Sequence, residues 1–177
     1  MKLVFAVIVL TVASAAQSAP ASNQQVNMPS NAEIGELLSK ADQKVTGFEE
    51  AVKLAKPHLD KINSRLSSKY LDASDTAHKF IAITQKDGTS AYRLVGLLAT
   101  LDDLSLDAAN ASVLLLRDDE EQVAKGKQPG AAALGSVVAL SSAGTAVNDI
   151  SELLMHATLR FIAAEEQVLN NLLGEKK

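Results

Sequence analysis

Apolar residues recur three or four positions apart along most of this chain, the spacing that collects side chains on one side of an α-helix. The pattern is widest between Thr89 and Lys125. There Leu94, Leu98, Leu101, Ser105, Ala108, Ser112 and Leu115 form a stripe that Val95, Leu97 and Leu104 broaden. A face of that width needs partners on more than one side. The spacing therefore predicts a long central helix near residues 90–125, with Thr89 placed to cap its start.

The other segments supply partners. Ser30 followed by Glu33 fits a capping box. Behind it, Ile34, Leu38, Ala41, Val45, Phe48, Val52 and Ala55 share a face opposite Glu36, Lys40, Lys44, Glu50 and Lys53. Gly47 either weakens this helix or allows a close crossing. Pro57 either opens a second helix at its first turn or kinks a longer one. Leu59, Ile62 and Leu66 carry the pattern on toward Tyr70, and Asp72 with Ser74 favours a turn and a new cap. Ala77, Phe80, Ile81 and Thr84 predict a further helix that Asp87-Gly88 ends.

Beyond the central helix, Gly126 and Pro129-Gly130 mark a break. No charged residue lies between Lys127 and Asp149. The many Ser, Gly and Ala residues there make a poor bilayer span, so the expectation is a buried helix of small residues. A last helix follows, with Val147, Ile150, Leu154, Ala157, Phe161, Ala164, Val168 and Leu172 on one side. The fold class is all-α, a compact bundle of five or six mostly antiparallel helices spanning residues 30–174 as a single domain. No solenoid period and no strand-like alternation appears.

The first residues change the picture of where such a bundle works. Lys2, the apolar run Leu3–Val12 and the small residues that follow have the layout of a secretory signal. Residues 1–16 are expected to be removed, and 17–29 to form a flexible leader rich in Ser, Asn, Gln and Pro. The apolar run is too short to span a bilayer comfortably, so the mature chain is expected to be secreted, extracellular and without a stable membrane span. Loss of Lys2 takes the net charge from -4 to -5, and no Lys/Arg stripe is present, which argues against a nucleic-acid partner. The chain has no cysteine, which excludes disulfides and thiol chemistry. Asn110-Ala111-Ser112 fits the pattern of an N-glycosylation site at Asn110.

Candidate chemistry is sparse. His78 follows Asp75 by three residues and His156 follows Glu152 by four, spacings that put acid and imidazole on one helical face. A di-metal helical site needs Glu-x-x-His on two helices, and that motif is absent. Asp118, Asp119, Glu120 and Glu121 lack the alternating spacing and glycine of a calcium loop. There is no nucleophile elbow, no dinucleotide fingerprint and no P-loop. The expectation is a protein that is not an enzyme, with no catalytic residues, no metal and no cofactor.

Few aromatics and no Trp argue against a sticky aromatic binding face. A helical core of Leu, Val, Ile and Ala instead suits a channel for a small hydrophobic ligand such as a fatty acid or other lipid. Phe48, Phe80, Leu98 and Phe161 are the expected apolar lining. Tyr92, Arg93 and Arg160 are the expected polar anchors. The alternative is a secreted interaction protein that meets another protein or a hydrophobic or lipid surface through an exposed helical face.

Overall fold

The computed structural model describes residues 27–127 and 130–174. Four helices account for nearly all of them, and no strand occurs among the described residues. They are α1 (Asn31–Ile62), α2 (Leu66–Lys86), α3 (Ala91–Ala124) and α4 (Ala131–Gly174). The expected signal segment 1–16 and all but the last residues of the leader lie outside the described residues.

The expected count of five or six helices is corrected to four among the described residues. Pro57 sits inside α1 and starts no new helix. The chain breaks instead at Asn63, whose side-chain carbonyl accepts the Arg65 amide at 3.0 Å, a local bond that competes with helix continuation. Asp72 and Ser74 make no turn either. The Ser74 hydroxyl donates to the Leu71 carbonyl at 2.7 Å, so α2 runs on with Tyr70, Ala77 and Ile81 on its buried side. No break separates the uncharged segment from the last helix, and together they form α4, 44 residues long. At the start of α3 the cap is Ser90, not Thr89, with its hydroxyl accepting the Arg93 amide at 3.3 Å. Ser30 caps α1 as the sequence predicts, accepting the Glu33 amide at 3.1 Å. Gly126, at φ +80°, takes the left-handed conformation just past α3 that favours glycine.

α4 packs along both α1 and α3, and α2 closes the other side of the bundle against α1 and α3. The core runs through Leu38, Val45, Phe48 and Leu59 of α1, Tyr70 and Ile81 of α2, Leu94 to Leu115 of α3, and Leu140 to Leu154 of α4. The broad face read on residues 90–125 is therefore the one that meets three partners. Few polar groups enter this core, and their hydroxyls donate to helix carbonyls or, at Ser67 and Ser151, to the carboxylates of Asp60 and Asp102. Ser112 donates to Ala108 at 2.9 Å and Thr158 to Leu154 at 2.7 Å. No helix among the described residues is long and apolar enough to cross a membrane.

Candidate functional site

The seven residues expected to hold a hydrophobic ligand are distributed over the bundle. Phe48 and Phe161 are core side chains, on α1 and α4 respectively. Phe80 packs at the core edge, where its ring covers Gly96 so closely that a Cβ at that position would lie 3.0 Å away. Tyr92 is 88% exposed. Arg93 donates to the Gly88 carbonyl at 2.7 Å and faces Asp87 at 3.8 Å, which ties down the loop between α2 and α3. Phe80, Tyr92 and Arg93 thus share the end of the bundle near that loop. Arg160 pairs with Glu33 and lines a groove between α1 and α4, and Leu98 lines a groove between α3 and α4. One lining does not gather all seven. Asn110 is exposed on α3 while Ser112 is buried.

The acids and imidazoles serve mainly as ties between and along helices. His78 Nδ1 lies 2.6 Å from Asp42 of α1, with Glu49 at 3.8 Å from its other ring nitrogen. Asp75, the partner that spacing suggested for His78, pairs instead with Lys79 at 2.5 Å and raises the Lys79 pKa through that bond. His156 faces Glu152 at 4.0 Å, as its spacing predicts. Asp119 accepts the Gly130 amide at 3.0 Å and so closes the connection into α4. Asp60 accepts from Ser67 Oγ at 2.6 Å and from Lys56 at 2.7 Å. These donors, the Lys56 bond first, hold its carboxyl below the ordinary aspartate value. Among the described residues no three His, Asp or Glu side chains are grouped to hold a metal ion.

What stands out is the outer face of α4 over residues 132–148. The expectation of a helix buried all round is corrected here: only Ser136, Leu140, Gly144 and Val147 of this stretch are fully covered. Leu134 and Val138 point outward, Val138 with 65% of its surface exposed, and Ser141, Ser142 and Thr145 continue the same exposed side. A helix face of about four turns without a charge thus meets solvent.

Two different seams border this ridge. On the α1 side lies an open groove of about 450 Å³ floored by small residues, Gly47, Ala51, Ala139, Ala143 and Ala146, with Leu54 beside it and Lys44 and Glu50 at its rim. A Cβ at Gly47 would meet nothing within 4 Å, so this glycine widens the groove and makes no close crossing. The close crossing is on the α3 side. There a Cβ at Gly144 would lie 2.8 Å from the Ala108 Cβ. Three hydroxyls bridge the two helices: Ser105 donates to the Gly144 carbonyl at 3.2 Å, Ser141 to the Ser112 hydroxyl at 3.2 Å, and Ser151 to the Asp102 carboxylate at 2.6 Å. That antiparallel register sets exposed Val113 and Leu116 of α3 beside Val138 and Leu134 of α4.

The ridge was missed because small and apolar residues were read together as core. The missing signal was phase: Leu134 and Val138 fall out of step with the stripe Ser136, Leu140, Val147 and Leu154. No protein-family model, no curated protein and no solved structure matches this chain.

Proposed function

We propose that this is a secreted, non-enzymatic interaction protein that binds a neutral hydrophobic or lipid surface through the uncharged outer face of α4. The observation that carries this reading is the solvent-facing ridge from Leu134 to Thr145, flanked by Val113 and Leu116 of α3. Exposed apolar area of that kind is an unfavourable place for water. Removing it from water contributes about 25 cal/mol per Å². The absence of charge on the ridge, with the net acidity of the chain, fits a neutral surface and not an anionic one.

Flotation with phosphatidylcholine-coated triglyceride droplets tests this. The protein is expected to float with the droplets. A chain carrying Leu134→Glu and Val138→Glu is expected to stay in the aqueous layer with an unchanged helical spectrum. Wild-type protein that remains in the aqueous layer would sink the proposal.

A second reading has its own observation. The α1–α4 groove is floored by alanine and glycine and is about 450 Å³ in volume, room for part of an acyl chain. In this reading the ligand is a small hydrophobe such as a fatty acid. Gly47→Leu would fill the groove and abolish fatty-acid uptake read by native mass spectrometry, while flotation on droplets would persist.

A further inference from the structure

The polar bonds between helices sort this bundle into two halves. α1 and α2 are joined where Asp60 accepts from Ser67 Oγ at 2.6 Å and where His78 Nδ1 lies 2.6 Å from Asp42. α3 and α4 are joined by the bonds of Ser105, Ser141 and Ser151, and Asp119 holds the Gly130 amide in the connection between them. The seven buried Ser and Thr side chains among the described residues follow the same division. Ser67 and Ser151 bond inside these two hairpins, and Ser74, Thr84, Ser112, Ser136 and Thr158 donate to carbonyls of their own helices. None of the seven bonds from α1 to α4 or from α2 to α3.

Those two seams carry ion pairs at the surface instead: Glu33 with Arg160 between α1 and α4, and Lys69 with Asp107 at 3.1 Å between α2 and α3. Pairs open to water contribute little to holding helices together. The α1–α4 seam is also loosely filled, since the groove of about 450 Å³ beside Gly47 runs along it. The chain passes from one half to the other through residues 87–90, which include Gly88 at φ +87°.

We propose that the bundle opens as two hairpins, α1–α2 and α3–α4, about the connection at residues 87–90, and that the core faces so uncovered spread on a neutral lipid surface. This rests on the reading of the α4 ridge as the face that meets lipid. Leu134, Val138, Val113 and Leu116 all belong to the α3–α4 hairpin, so docking holds that half and leaves α1–α2 free to swing away. Opening along these seams moves Leu38, Phe48 and Leu59 from a protein core to lipid, an apolar exchange, and breaks none of the buried hydroxyl bonds. Parting α1 from α2, or α3 from α4, would instead strand Asp60 and Ser67, or Asp102 and Ser151, in an apolar medium.

The chain has no cysteine, so introduced pairs can be stapled cleanly. Lys44→Cys with Ser142→Cys, both lining the α1–α4 groove, locks the seam when joined by a bis-maleimide with a reducible linker. Ala109→Cys with Asn148→Cys, joined the same way, staples α3 to α4 within one hairpin. Each protein is read by flotation and by the fall in interfacial tension of a phosphatidylcholine-coated triglyceride drop. The seam staple is expected to float through its ridge but to lose about half or more of the wild-type fall in tension, and to regain it when the linker is reduced. The hairpin staple is expected to match wild type. A seam staple that lowers tension as fully as wild type would overturn the opening and leave the ridge reading intact, and so would a hairpin staple that is equally disabled. Wild type that does not float overturns both.

Discussion

Two glycines show how far a single residue's meaning depends on its surroundings. At Gly144, alanine would gain about 1 kcal/mol of helix propensity. Its Cβ would, however, lie 2.8 Å from the Cβ of Ala108, and both atoms are fixed to helix backbones, so α3 and α4 would have to part. Overpacking of this kind costs about 1–3 kcal/mol, so Gly144→Ala is expected to lower the unfolding free energy and Gly144→Val to lower it further. Gly47 has open space around it, and there alanine should raise stability by about 0.5–1 kcal/mol. Urea titrations of the two variants would check both signs. The sequence offers both glycines equally as helix weakeners or as crossing points. Only the Ala108 Cβ in one case and the empty groove in the other distinguishes them.

At the scale of the helix, α1 tolerates a defect. Pro57 lacks the N–H that would bond the preceding turn, and an interior proline costs about 3 kcal/mol in a free helix. α1 continues because Ala55 and Leu59 on either side of it are fully buried. Pro57→Ala is accordingly expected to raise the unfolding midpoint in urea, by about 1–3 kcal/mol of stability. The cap at Ser30 and the end at Gly126 were legible because each uses local chemistry; the second half of the capping box does not form, since the Glu33 carboxylate turns to Arg160. The break read at Asp72 was not real, and of the two readings of Pro57 the longer helix is the one that forms, because burial outweighs a local cost of up to about 3 kcal/mol.

The joint that follows α1 is electrostatic. Asp60 reaches over it to Ser67, and its pKa is depressed by Lys56 and Ser67. A depressed carboxyl contributes stability that is present above its unfolded value and is lost as pH falls through its folded value. The melting temperature should therefore drop as pH falls below about 4, and Asp60→Asn should be less stable at neutral pH with a shallower acid limb. Melting curves from about pH 6 to about pH 2 would show it. An Asp60→Asn protein with the wild-type acid limb would contradict this assignment.

For the molecule as a whole, the ridge on α4 predicts how binding responds to salt. An uncharged contact has little Coulombic attraction to screen, so droplet flotation should be nearly unchanged between low salt and about 0.5 M NaCl. A steep loss with salt would point to a charged contact elsewhere on the bundle. Prediction of the ridge from sequence failed at one step. Counting apolar and small residues found a stretch without charge, but which side of α4 faces water depends on where α1 and α3 sit.

What the sequence determined by itself was the helical class, the broad face of residues 90–125, and the stretches able to form helices. Those follow from a period of 3.6 residues and from backbone chemistry within one turn. The tertiary structure alone decided that the described residues form four helices and not five or six, and that His78 meets Asp42 in place of Asp75. It also decided that the uncharged stretch is half open to solvent. Each of these depends on atoms brought together from distant parts of the chain, and periodicity along one helix holds no information about its neighbours.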